Sequence, residues 1–348
     1  MYAVTPTDEQ RRLGESIDRL VSIEITGRGV IGALYHAARR VHDGPLCLEA
    51  AGRLLDRVHG DRVVILATGF PTYPWATGEQ DGPVGTATLA RALVLGLRAR
   101  PVIVTDPANV DICAAALRGA GLSVRPFEDA LRLPTTAAVL PFPLAWDEAQ
   151  AAAGQMLETL HPAALVAVER PGANERRQYH SSGGQSITEY CAKIDALFEA
   201  APARGLLTIG IGDGGNEIGS AAVREAVLDA VPHGRRCACP CEGSIVPAAR
   251  TDIFLTAAIS NWGAYAVEAA LALLLGRPEV MHARDVDARA HELCAAAGAN
   301  NNGPGLLDVG ADAIPAPLHG HVVELLGAMV RNGMEFGRLY REPPYPWL

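Results

Sequence analysis

The sequence predicts an α/β fold: three layers, α/β/α, built on a mostly parallel, Rossmann-like sheet with an N-terminal helical segment ahead of it. Three observations carry the prediction. Short β-branched runs without polar alternation recur through the middle of the chain, as strands buried on both faces require. Each is followed by a stretch with apolar residues three or four apart, so strands and helices alternate. No Ser/Gly-rich spacer, charge block or internal repeat divides the 348 residues. One domain is therefore expected over 1–348, with helices over about 1–60, an α/β core over about 61–280 and helices again over about 281–348.

Asp8–Val21 carries Leu13, Ile17, Leu20 and Val21 at a helical period. Val30–Val41 and Leu46–Val58 read likewise, the latter opened by Pro45, whose fixed φ suits a first turn. Arg62–Thr68 (RVVILAT) is the first buried strand, closed by Gly69 and Pro71. The alternation then runs helix Pro83–Ala99, strand Pro101–Asp106, helix Val110–Ala120, strand Ala137–Phe142, helix Asp147–Leu160 and strand Ala164–Arg170. Helix Thr188–Ala200, strand Gly205–Asp213, helix Asn216–Val231, strand Thr251–Ala257 and helix Trp262–Leu275 complete it. A long irregular stretch lies between Pro171 and Ile187, and loops of that length in a compact α/β fold tend to carry function. From Ala283 helices return, separated by a turn at NNNGPG (Asn300–Gly305).

Composition removes several classes. Hydrophobic residues make up 49% and charged residues 20%, enough for a core and too apolar for disorder. Aromatics are only 5%, so Ala, Val and Leu must fill that core. Thirty-six Gly and 24 Pro fit a turn-rich fold, without the Gly-every-third period of collagen. Thirty Lys and Arg against 39 Asp and Glu give a net charge of −9, and no basic run offsets it, so nucleic acid is not an expected partner. The longest apolar stretch, around Ala269–Leu275, falls far short of the roughly 20 residues that cross a bilayer, so no membrane contact is expected. The opening MYAVTPTDEQRRLGESIDRL has early acids and no apolar run, unlike a signal peptide. Seven Cys at irregular spacing argue against a disulfide framework. A cytoplasmic protein is the expectation, and nothing in the pattern speaks against a homo-oligomer.

In open parallel sheets, ligands bind beyond the carboxyl ends of the strands. The segments expected there are TGFPTYPWATGEQDGP, Asp106, ERPGANERRQYH, GDGGNEIG and SNWGAY. GDGGNEIG (Gly212–Gly219) is the most informative. Its glycines allow a sharp turn with exposed N–H groups at a helix start, making Gly214, Gly215 and Asn216 substrate-binding candidates. Asp213 and Glu217, four apart, would share one face of a helix, although an acid there also suits a cap or dipole partner. Gly210, Gly212 and Gly215 spell the dinucleotide fingerprint, but Asp213 would face a pyrophosphate with like charge. EQDGP (Glu79–Pro83) adds Glu79 and Asp81 before a helix opened by Pro83. Oxygen donors of this kind suit a hard divalent cation, Mg²⁺ or Mn²⁺; the alternative is an acidic turn that satisfies the helix dipole. Glu79, Asp81, Asp213 and Glu217 in one crevice would repel unless protonated or bridged by a cation.

ERPG adds Glu169 and Arg170. A guanidinium at a strand end can fork onto a substrate carboxylate or pair with a nearby acid. Asn174, Arg177, Tyr179 and His180 follow in the long loop, with Asn174 and Tyr179 as candidate substrate contacts. In SNWG, Ser260 or Asn261 caps a helix, Asn261 is a further substrate-contact candidate, and Trp262 belongs in the core. Cys237, Cys239 and Cys241 form C-x-C-x-C, expected as a buried face, because zinc motifs usually space their cysteines by two to four residues and need a partner pair. No G-x-S-x-G elbow and no P-loop motif is present, which disfavours a serine hydrolase or a P-loop NTPase.

Taken together, RGVIGALYHAAR (Arg28–Arg39), TGF (Thr68–Phe70), EQDGP with the following GTATLARAL, ERPG, GDGGNEIG and SNWGAYA (Ser260–Ala266) stand in order over about residues 20–275. In this the chain resembles the D-glutamate cyclase family. Where that family commonly has Thr between the acids of the second cluster this chain has Gln80, and where it continues Met-Gly after GDGGNEIG this chain has Ser220 and Ala221. Neither change removes a carboxylate. The resemblance implies cyclisation of D-glutamate, a small amino-acid substrate, to 5-oxo-D-proline with release of water, helped by a divalent cation. It implies Glu79, Asp81, Asp213 and Glu217 around the metal, Glu169 as base with Asp213 beside it in catalysis, and Arg170 holding the α-carboxylate. On the residues alone two other chemistries stay open. One is a metal-dependent phosphohydrolase, since acid clusters also serve phosphoester chemistry. The other is an NAD-dependent oxidoreductase using GIGDGG.

Overall fold

The computed structural model describes residues 5–302 and 305–339. Of the expected segments, residues 1–4, Gly303, Pro304 and 340–348 lie outside the described residues. In chain order the elements begin with three helices, α1 (Asp8–Val21), α2 (Ile31–Val41) and α3 (Leu46–Arg57). The alternating part is β1 (Val63–Thr68), α4 (Pro83–Leu97), β2 (Arg100–Thr105), α5 (Val110–Gly119), β3 (Ser123–Val124), α6 (Phe127–Ala130), β4 (Thr136–Pro141), α7 (Trp146–Leu160), β5 (Ala164–Val168), α8 (Asp195–Ala200), β6 (Leu207–Gly212), α9 (Arg224–Ala230), β7 (Ile253–Thr256) and α10 (Ser260–Leu275). It ends with α11 (Arg284–Ala296), the hairpin β8 (Gly310–Ala311) and β9 (Ile314–Pro315), and α12 (Ala316–Leu339).

Seven strands form one parallel sheet in the order β3-β4-β2-β1-β5-β6-β7. Both faces are covered, so the three-layer expectation holds. Val64 and Leu66 of β1 join one core with α3, α4, α5 and α10. Val63, Ile65 and Ala67 alternate onto the other face, against Ala149, Ala153 and Leu157 of α7 and Leu197 and Phe198 of α8. The chain leaves β1 towards β2 and β4, then returns to the opposite side of β1 at β5. This reversal opens a crevice at the carboxyl ends of β1 and β5, where ligands of such sheets bind. Helices α4 and α10 meet above it at close range. A Cβ placed on Gly85 would come within 2.7 Å of the Asn261 Cα, so only Gly permits the approach. Trp262 is fully buried, as expected, and its Nε1 donates to His319 Nδ1 at 2.9 Å. Among the described residues no helix is long and apolar enough to cross a membrane.

Two helices are shorter than their periodicity predicts, and both for the same reason. Before α8, residues 188–194 are irregular, because side chains take up their backbone polar groups. Lys193 Nζ donates to the Thr188 and Cys191 carbonyls at 2.7 Å each. Ala192 donates its N–H to Asp106 and accepts from Arg170. Before α9, Glu217 turns back onto the N–H groups of Gly214 and Gly215, and Ser220 Oγ donates to the Gly215 and Glu217 carbonyls at 2.8 Å. A single 3₁₀ turn, Ser220–Val223, replaces the expected start of that helix.

Behind α10 lies a buried charge cluster. His282 Nδ1 sits 2.7 Å from Glu268 Oε2 and Nε2 3.7 Å from Asp287, all without solvent exposure. Tyr265 OH donates to Asp287 at 2.6 Å. Burial pulls the His282 imidazolium down, but Glu268 and Asp287 outweigh it and push the pKa up to about 9. A raised pKa adds stability that is complete below the unfolded value of about 6.5 and is lost as pH rises through the folded one. Urea unfolding should therefore show stability falling between about pH 6.5 and pH 9 by on the order of 3 kcal/mol. Glu268→Gln should flatten that slope, and an unchanged slope in the variant would remove this pair as its cause.

Candidate active site

Two loops at the crevice hold each other. The Asp81 carboxylate accepts from Ser260 N at 3.0 Å and Asn261 N at 2.8 Å, the first N–H groups of α10. Asn261 Oδ1 in turn accepts from Gly82 N at 2.9 Å and Gly85 N at 2.6 Å at the start of α4, while its Nδ2 donates to the Gln80 carbonyl at 3.2 Å. Each helix thus takes its cap from the other's loop. Gly82, at φ +88°, makes the turn into α4, and a Cβ there would strike Thr68 and Glu169. The EQDGP segment is pressed in this way against the end of β5. Asn300 supports it from behind: Gln80 N donates to the Asn300 carbonyl at 3.0 Å, and Asn300 N to Gly78 at 3.1 Å.

Glu169 follows β5 with φ +43°, a left-handed conformation that a non-Gly residue keeps only when its surroundings impose it. Ser260 Oγ donates to its Oε2 at 2.5 Å. Asp213 follows β6. The carboxylates of Asp81, Glu169 and Asp213, all buried, bring oxygens within 4.8 Å of one another. Beside them is a cavity of about 150 Å³. Glu79, Glu169, Asp213, Asp312 and Arg28 form its charged wall, Phe70, Thr72 and Tyr73 another, and Ser181, Ser182, Gly183 and Gln185 of the long loop a third. Glu79 Oε2 is buried without a hydrogen-bond partner.

Burial, then mutual repulsion, raises the acids. Glu79 and Glu169 are held well above the usual carboxylate range, the first also by Asp312 and Asp81, the second also by Asp213 and Glu217. Asp81 is pushed up to about 8 by burial and Asp312, against the backbone N–H groups it accepts from. Asp213 rises by burial although Arg28 opposes it. Arg28 Nη2 lies 2.8 Å from Asp213 and 3.4 Å from Asp312, and donates to the Ala258 carbonyl at 2.9 Å. Asp213 above all keeps this guanidinium cationic. One guanidinium does not balance Glu79, Asp81, Glu169, Asp213 and Asp312. Such a cluster is stable with protons shared among it or with a bound cation. All-oxygen donors and an unpartnered Glu79 oxygen fit a hard divalent ion.

The crevice gathers some of the expected residues and not others. Glu79, Glu169, Asp213, Gly214 and Asn216 line the cavity, and Asp81 belongs to the carboxylate cluster. The remaining candidates have their polar atoms engaged within the framework. Glu217 is fully buried, with its oxygens on Gly214 N at 2.7 Å and Gly215 N at 2.8 Å. It closes its own loop, and it occupies the N–H groups that a substrate or a pyrophosphate would need. Arg170, fully buried, forks onto Asp106 at 2.5 and 2.9 Å and donates to the Gly69 and Ala192 carbonyls at 2.8 Å each. That is the ion-pair alternative, with no donor pair left for a substrate. Tyr179 OH donates to Asp195 at 2.6 Å, Asn174 Nδ2 donates to the Ser244 carbonyl at 2.8 Å, and Asn261 is the cap described above. Sequence reasoning misses Arg28 and Asp312. Arg28 opens the RGVIG segment, a signal that was available; Asp312, within ADAIP, carries none.

The fold and site define an α/β protein whose crevice, at the reversal of strand order, is built from buried carboxylates around a small cavity. Residues 17–327 match the family described as D-glutamate cyclase-like, C-terminal, and the chain belongs to that family. It is also 31% identical over 283 residues to the human protein named D-glutamate cyclase, mitochondrial, an alignment covering 78% of this chain and 41% of that protein. The chain thus spans less than half the length of this relative.

The placement of Arg170 has a direct consequence. Arg170→Gln leaves the buried Asp106 carboxylate unpaired and should lower the unfolding free energy by about 3–5 kcal/mol in urea titrations. A well-folded variant with only a raised KM would instead return Arg170 to substrate binding.

Proposed function

We propose that this chain cyclises D-glutamate to 5-oxo-D-proline with loss of water, assisted by a divalent cation, Mn²⁺ or Mg²⁺. The observation that carries this reading is the buried Asp81–Glu169–Asp213 cluster beside the cavity, in a chain of this family. The cavity, about 150 Å³, is small beside the roughly 300–1,000 Å³ of drug-sized sites, which suits a compact metabolite. The name of the human relative supports glutamate as that metabolite. We take the compartment to be the cytoplasm, in keeping with the irregular spacing of the seven cysteines.

The reaction forms one N–C bond, between the α-amine and the γ-carboxyl carbon, and releases one oxygen as water. The amine must first give up a proton. Glu169, fixed by Ser260 and with raised proton affinity, is the base in this reading. Asp81 and Asp213 hold the cation, with Glu79 as a third donor. When bound, the cation supplies Lewis acidity and offsets the negative charge of the γ-carboxylate. Arg28, in the cavity wall, takes the role expected of Arg170 and meets a substrate carboxylate. Ser181, Ser182, Gly183 and Gln185 line the cavity from the long loop.

Purified protein given D-glutamate and Mn²⁺ should release 5-oxoproline, followed by chiral chromatography with mass detection, and EDTA should stop it. Glu169→Gln should lower kcat about 10²–10⁴-fold. Asp213→Asn should abolish the rise in Tm that Mn²⁺ produces. No turnover of either glutamate enantiomer overturns the substrate assignment, and Mg²⁺-dependent hydrolysis of p-nitrophenyl phosphate in its place would favour a phosphohydrolase.

A further inference from the structure

The C-x-C-x-C segment does not form the buried face that its spacing suggests. Cys237 is buried, whereas Cys239 and Cys241 are half-buried, and their sulfurs converge. Cys237 Sγ lies 3.3 Å from Cys239 Sγ and 3.5 Å from Cys241 Sγ. The long loop delivers the fourth donor: His180 Nε2 is 3.4 Å from both Cys239 Sγ and Cys241 Sγ. All four ligand atoms fall within 4.8 Å of one another.

We infer that His180, Cys237, Cys239 and Cys241 form a structural zinc site. A tetrahedral zinc with Zn–S near 2.3 Å and Zn–N near 2.0–2.1 Å has S···S edges of about 3.8 Å and N···S edges of about 3.6 Å, close to the separations here. That spacing leaves room for one ion and not for an iron–sulfur cluster. Three thiolates and an imidazole are borderline-to-soft donors, unlike the all-oxygen set of the crevice. Four protein ligands close the coordination shell, which marks a structural rather than a catalytic site. Gly243 N donates to Cys241 Sγ at 3.4 Å, which orients that sulfur within the turn. Ala238 N donates to the Gly184 carbonyl at 2.9 Å, so the cysteine turn and the His180 loop are already joined.

The ion would lock the wall of the acidic cavity. The His180 carbonyl accepts from Asn216 Nδ2 at 2.9 Å, and the residues directly after His180 line the cavity. Zinc here ties two loops far apart in sequence and positions that wall without contacting a substrate.

The test uses the full chain purified under reducing conditions. Elemental analysis should find close to one zinc per chain after prolonged dialysis against metal-free buffer has emptied the weaker oxygen-donor site. Protein produced with Co²⁺ should show thiolate-to-cobalt charge transfer and tetrahedral d–d bands, which added Zn²⁺ abolishes. Asp213→Asn should keep these bands. His180→Ala and Cys239→Ser should lose them or bind at least tenfold more weakly. Wild-type protein without zinc and without the cobalt–thiolate bands overturns the inference, even if the variants fail to fold. So do a Cys237–Cys239 disulfide, bound iron with labile sulfide, or bands that survive Cys239→Ser/Cys241→Ser.

Discussion

Asp81 and Asn261 cap each other's helices, and the site depends on that exchange. The first N–H groups of α4 and α10 have no partners within their own helices. Each set is satisfied by a side chain from the other loop, over a separation that only Gly85 allows. A cap contributes about 1 kcal/mol, so the pair is modest in energy. Its geometric effect is larger. It sets the EQDGP turn against β5, it brings Ser260 onto Glu169, and it aims the Asp81 carboxylate at Glu169 and Asp213. Asp81 is therefore both a part of the scaffold and a member of the acid cluster.

The cluster itself is held under electrostatic tension. Two carboxylates within 4.8 Å repel by at least about 3 kcal/mol at an effective dielectric of about 20. Three such pairs approach the roughly 5–15 kcal/mol by which a whole domain is stable. A fully ionised cluster without a counter-charge would thus cost an amount comparable to the stability of a whole domain. The same arithmetic makes the crevice receptive to a divalent ion, and the repulsion adds to burial, the larger cause, in raising the acids. Strain at Glu169 and repulsion around it are sustained by the buried strands on both sides.

The long loop after β5 would be a poor wall without anchors. Arg170 and Asp106 bind its far end through Ala192, Tyr179 binds Asp195, and His180 reaches the cysteine turn. These contacts pair buried polar groups that would otherwise be costly, with Arg170 Nε and His180 Nδ1 left without a hydrogen-bond partner. They explain why polar residues in this loop, attractive as substrate ligands, are consumed by architecture.

By itself the sequence determined six of the seven strands, most of the helices and the edge at which the chemistry sits. Continuous β-branched runs mark strands buried on both faces, and a period near 3.6 marks the helices; both are local properties of the chain. Glu79, Asp81, Glu169 and Asp213 were legible because each follows a predicted strand, and the ends of parallel strands share one edge. Only the tertiary structure decided which polar atoms remain free there. Glu217 folds onto its own glycines, Arg170 meets Asp106, and Asn261 serves α4. Arg28 enters from the segment between α1 and α2, and His180 finds three cysteines more than fifty positions along the chain. Periodicity reports which face of an element is apolar. It does not report which distant group will take a side chain's hydrogen bonds, because that depends on how the loops pack once the sheet has formed.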